Sequence, residues 1–163
     1  MDLQELLKRN EIRKKSEADM KFAFKLIERA RHDIEAAKDN LKNGNFDWAL
    51  AIAYNAMLNA GRAFVEAKGY RTDSESHHKI VVEFCAIMLG SDASELVKAF
   101  GKYRIRRNDI VYGEVESGGV SESEANTSIE KAGNFVKLVS EKIGAPKEKP
   151  VETVSPNQNE PPK

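Results

Sequence analysis

The chain has one cysteine in 163 residues. Cys85 therefore forms no internal disulfide, which fits a reducing compartment. Its place in the apolar run 80–89 marks it as a small core residue. Net charge is absent too, because 26 basic residues cancel 26 acidic ones. No global positive field draws in nucleic acid, so any such contact must come from a local patch. No apolar run approaches the ~20 residues that span a bilayer. The opening Met1-Asp2-Leu3-Gln4-Glu5 lacks signal-peptide character. No stretch alternates apolar and polar residues over a strand's length, so no strand is expected. Histidine is scarce: His32, His77 and His78. None has a second ligand at helical spacing, and neighbouring histidines on a helix point apart, so no metal and no cofactor are expected. One of the pair facing the arginine-rich segment described below is the alternative. These absences lead to the expectation of a soluble, cytoplasmic protein.

What is present is helical periodicity. Residues 16–43 carry Met20, Ala23, Ile27, Ala30, Ile34, Ala37 and Leu41 at steps of three and four, one continuous apolar stripe. Ser16 leads the expected cap region, and Asn43-Gly44-Asn45 stops the helix. Residues 46–68 form a second helix rich in alanine, with Asp47 as its cap and Trp48 among its bulky groups. It is polar only at Asn55, Asn59, Arg62 and Glu66, so it is the expected centre of the bundle or is covered by a second subunit. Three further helices are expected at 80–89, 94–112 and 121–143, with loops at 71–76 and 113–119. The fold class that follows is all-α, an up-and-down bundle of four to five helices. Its domain is placed at 16–144, after a charged N-terminal segment, 1–15, and before a tail, 145–163, whose composition predicts disorder.

Polar chemistry crowds into one run, Lys102-Tyr103-Arg104-Ile105-Arg106-Arg107-Asn108-Asp109-Ile110-Val111-Tyr112-Gly113. On a helix, Leu96, Phe100, Tyr103, Ile110 and Val111 share one broad arc, and Arg107 falls inside it. Arg104, Asn108 and Tyr112 line its margin. A guanidinium on an apolar arc needs acceptors: a carboxylate, helix-end carbonyls, a partner subunit or a phosphate.

In this order the segments resemble a known family. Residues 5–13, 30–34, 53–57 and 63–69, closing on 106–113, are similar to HEPN domains ("higher eukaryotes and prokaryotes nucleotide-binding") over roughly 3–143. The resemblance implies a helical homodimer whose fourth helices meet across a two-fold axis. Catalytic members are metal-independent endoribonucleases with an arginine, then a polar residue, then a histidine a few residues on. Arg107 and Asn108 match the first two places, and Tyr112 occupies the histidine's. Other members are toxins or antitoxins paired with nucleotidyltransferases. In one group a tyrosine just past the histidine is adenylylated; that place here is Glu114.

The departure at Tyr112 has a chemical consequence. Metal-free RNA cleavage needs one group to take the 2′-hydroxyl proton and another to protonate the leaving oxygen. Histidine suits both, whereas a phenol titrating near ~10 is a poor base at neutral pH. Arg107 still suits the charge of a phosphorane-like transition state. The expectation is a dimeric module that binds RNA, a nucleotide or a nucleotidyltransferase partner through Arg104, Arg106, Arg107, Asn108 and Tyr112, weak or inactive as a nuclease. The alternatives are a ribonuclease toxin using Arg107, Asn108 and Tyr112, and a plain helical scaffold.

Overall fold

In a computed structural model of the chain, which describes residues 1–73, 77–113 and 119–148, six α-helices surround one core. The long stripe forms α2 (Met20–Lys42), which buries Ala23, Leu26, Ile27, Ala30, Ile34 and Ala37. It turns back through Gly44, at φ +78°, into α3 (Phe46–Ala67). The alanine-rich α3 is the hub, packing on α2, α6 and the two helices between. Its small residues permit that closeness. A Cβ on Gly61 would stand 2.6 Å from Val81 Cγ1 and 3.1 Å from Phe100 Cε1. Hence α4 (His77–Met88) and α5 (Ser94–Tyr112) lie directly against it. The last helix, α6 (Glu122–Ile143), starts where the Ser121 hydroxyl accepts the Glu124 N–H at 3.1 Å and ends at Gly144, φ +68°.

Several local expectations change. Two short strands exist, β1 (Ile12–Lys14) and β2 (Tyr70–Thr72), paired antiparallel with Arg13 opposite Arg71. Three residues are too few for alternation to show, and each strand exists only because a distant segment supplies its hydrogen bonds. The charged N-terminal segment, whose leucine cluster allows a short docking helix, carries one. Asp2 and Glu5 form a capping box on α1 (Leu3–Lys8), and Leu6 and Ile12 are fully buried. Asp19, not Ser16, caps α2, accepting the Phe22 N–H at 2.9 Å. Asn45 precedes α3, and the Asp47 carboxylate instead accepts the Val120 N–H at 3.1 Å. Trp48 does not enter the core; it is 62% exposed. Helix α4 starts at the histidine pair rather than at Ile80. The expected disorder of 145–163 lies outside the described residues from 149 onward, as do 74–76 and 114–118 of the two loops and Glu114.

Candidate functional site

Helix α5 leaves the core part-way along its length. Val97, Phe100 and Tyr103 are buried, Ile110 is half-buried and Val111 faces outward, so the expected arc does not reach the helix end. Arg104 and Arg107 sit half-buried at that change, where α5 passes the first turn of α4 and the middle of α3. Tyr54 of α3 fills the floor. Its ring lies 5.9 Å from Phe100 and 5.9 Å from His78, centroid to centroid. Its hydroxyl is 3.1 Å from His78 Nδ1.

Charge and burial fix the protons here. Burial pushes the Tyr54 phenol up to about 12, with Arg104 and Arg107 pulling the other way. The phenol therefore keeps its proton and can donate it to Nδ1, which leaves the ring proton of neutral His78 on Nε2. Burial holds His78 below the usual imidazole range, and Arg107, Arg104 and Arg62 push it the same way. His77 stacks edge-on to His78, with ring centroids 5.7 Å apart, and places its Nδ1 2.5 Å from Thr72 Oγ1. It too titrates below the usual range, through burial, then Arg62 and His78. Arg104 and Arg107 thus lie near the buried Tyr54 phenol and His78, and Arg62 lies near both histidines.

The five residues singled out from the sequence divide. Arg104 and Arg107 belong to the site. Among the described residues no carboxylate forms an ion pair with either. Arg107 Nη1 donates to Asn108 Oδ1 at 3.4 Å, and its guanidinium carbon stands 5.6 Å from the centre of the Tyr112 ring. Asn108 and Tyr112 are exposed at the rim, Tyr112 at 76%. Arg106, expected as a ligand-binding residue, points elsewhere. Its Nε and Nη2 donate to Glu124 of α6 at 2.7 and 3.2 Å, tying α5 to α6. Tyr54 and Arg62 were not singled out from the sequence. Their signal was a large phenol and a cation on a helix rich in alanine.

Among the described residues no group of three or more His, Cys, Asp or Glu side chains gathers to hold a metal. Among the same residues no helix is long and apolar enough to cross a membrane.

With the geometry described, comparison with known proteins is informative. The family model of the HEPN domain matches residues 23–143. The chain belongs to the HEPN family. The match runs from within α2 to the last residue of α6 and contains Tyr54, His78, Arg104 and Arg107. Among solved structures, the fold is similar to that of TT1696 from Thermus thermophilus. That likeness has 23% sequence identity and a TM-score of 0.60, over 74% of this chain and 97% of that one. Comparison with curated proteins finds no match.

Proposed function

We propose that this HEPN domain binds the phosphate of RNA or of a nucleotide at Arg104, Arg107 and His78, as a homodimer, and that it cleaves RNA weakly or not at all. The observation that carries the reading is the pair of half-buried arginines with no carboxylate partner among the described residues, near a histidine that burial first, and they second, push toward the neutral form. Arg106, by contrast, has Glu124. A phosphate would meet two guanidinium groups and the His78 Nε2–H, all donors. The same tautomer supports weak or absent cleavage. With Nδ1 occupied by the Tyr54 hydroxyl, His78 offers a donor where the reaction needs a base.

The outer face of α5 supports the dimer. Ile105, Asn108 and Tyr112 lie at i, i+3 and i+7 beside the arginines, with Ile105 57% exposed. Two such faces meeting about a two-fold axis would bring two arginine pairs into one cleft. A nucleotidyltransferase partner, as in a toxin–antitoxin or defence pairing, is a second occupant of the same face.

The nuclease alternative keeps one specific support, the Arg107 guanidinium set against the Tyr112 ring. Incubating the purified protein with single-stranded RNA and a chelator separates the two readings. Intact RNA with wild type and with Arg107→Ala is the expected result. Cleavage by wild type that disappears in Arg107→Ala would establish a ribonuclease instead.

A further inference from the structure

The polar stripe of α3 has so far found no use. Asn55, Asn59, Arg62 and Glu66 fall at i, i+4, i+7 and i+11, one face of the helix. Along the helix axis that is ~16 Å, longer than one phosphate. A cleft of about 520 Å³ opens on its α2 side, lined by Lys25, Arg29, Asn55, Arg62 and the half-open ring of Phe22. A smaller cleft, of about 140 Å³, opens on its α4 side, lined by Arg62, Arg71, Thr72 and His77. Arg62 lines both.

The carboxylates nearby are already engaged. Asp33 accepts the side-chain amides of Asn55 and Asn59 at 3.1 and 2.8 Å. Glu66 takes Lys15 Nζ at 2.7 Å. Arg71 has Asp73 at 3.7 Å, a largely exposed pair. Lys25, Arg29 and Arg62 form no ion pair among the described residues. Lys25, Arg29 and Arg62 form a row of cations, with the Asp33 carboxylate, bonded to neutral amides, beside them. Beyond Arg62 the row reaches His77, whose ring centre stands 5.7 Å from that of His78.

We propose that this stripe, flanked by Lys25 and Arg29 on one side and by Arg71 and His77 on the other, is a track for the backbone of a single-stranded RNA leading into the site at His78 and Arg107. The reading rests on phosphate binding at that site and extends it to several nucleotides. Spaced cations match successive phosphates, and the Phe22 ring at the far end offers a base a surface to stack on. An isolated nucleotide would use only one end of the row.

The test uses the full-length protein, a labelled oligouridylate of roughly 12 nucleotides, a labelled uridine dinucleotide, and fluorescence anisotropy over a salt series. Lys25 and Arg29 are exposed, so the double variant Lys25→Ala/Arg29→Ala should fold as wild type does. It is expected to weaken the oligomer several-fold and to flatten its log–log salt slope by about 1.4, at ~0.7 for each lost single-strand contact. The dinucleotide should bind it unchanged. Arg62→Gln should weaken the oligomer more than the dinucleotide. An oligomer bound by both variants with wild-type affinity and slope, while Arg107→Ala still weakens it, would remove the track and leave the site. Wild type that binds neither RNA would overturn the site and the track together. Displacement of the oligomer by polyglutamate more readily than by unlabelled oligouridylate would assign the stripe to an acidic protein and overturn the track.

Discussion

Three neighbouring arginines on one helix have two different fates. Arg106 is held by Glu124, while Arg104 and Arg107 face His78 and Tyr54 without a carboxylate partner among the described residues. The sequence makes Arg107 conspicuous because it interrupts an apolar arc, but it gives no sign that Arg106 is engaged. That acceptor lies 18 residues away on another helix, beyond the reach of helical spacing. Tyr54 was hidden for the same reason, since its partners His78 and Phe100 stand on α4 and α5. The histidine pair makes a prediction at this scale. Both rings titrate below the ordinary imidazole value in the folded protein, chiefly through burial. As pH falls through the unfolded value of ~6.5, the unfolded chain takes up protons that the folded one refuses. Stability contributed by the neutral rings is therefore present above that value and is lost from there down through the folded pKa values. Urea denaturation at about pH 7.5 and about pH 5.5 should show wild type losing stability, and His77→Asn/His78→Asn losing less of it. An equal loss in the double variant would contradict this account of the pair.

At the scale of elements, the helices were legible and their edges were not. Periodic stripes placed α2, α3, α5 and α6 to within a few residues, because burial of one face is what fixes a helix. The β1–β2 ribbon was illegible, since neither strand has a pattern of its own. The start of α4 was missed because the two histidines that open it carry no periodic apolar signal. The small-residue character of α3 was legible as close approach, and Gly61 shows how close. Gly61→Ala should destabilise the protein. Overpacking against Val81 and Phe100 costs ~1–3 kcal/mol, and the gain in helix propensity returns only ~1 kcal/mol. Gly133 in α6 is the control, because a Cβ there would meet nothing within 4 Å. Gly133→Ala should raise stability by up to ~1 kcal/mol. Denaturant midpoints check both signs, and a stabilising Gly61→Ala would mean that α4 and α5 pack less tightly on α3 than the structure has them.

For the whole molecule, zero net charge conceals an uneven distribution. Lys25, Arg29 and Arg62 border one cleft and Arg104 and Arg107 lie near His78, while the outer face of α5 exposes Ile105, Val111 and Tyr112. Burial of that face in an isologous contact predicts a dimer by light scattering at micromolar concentration, with Ile105→Asp/Tyr112→Asp monomeric and still folded. A monomeric wild type would sink the dimer. The central claim is that unpaired arginines on α5 bind RNA phosphate, and it is tested most directly by titrating labelled single-stranded RNA into wild type and Arg107→Ala, with melting curves of both. The account predicts binding by wild type, a roughly tenfold loss in the variant, equivalent to ~1.4 kcal/mol, and melting transitions that coincide. Equal binding by the two proteins, or a variant that melts early while wild type binds no RNA, would contradict it and leave Arg107 a structural tie.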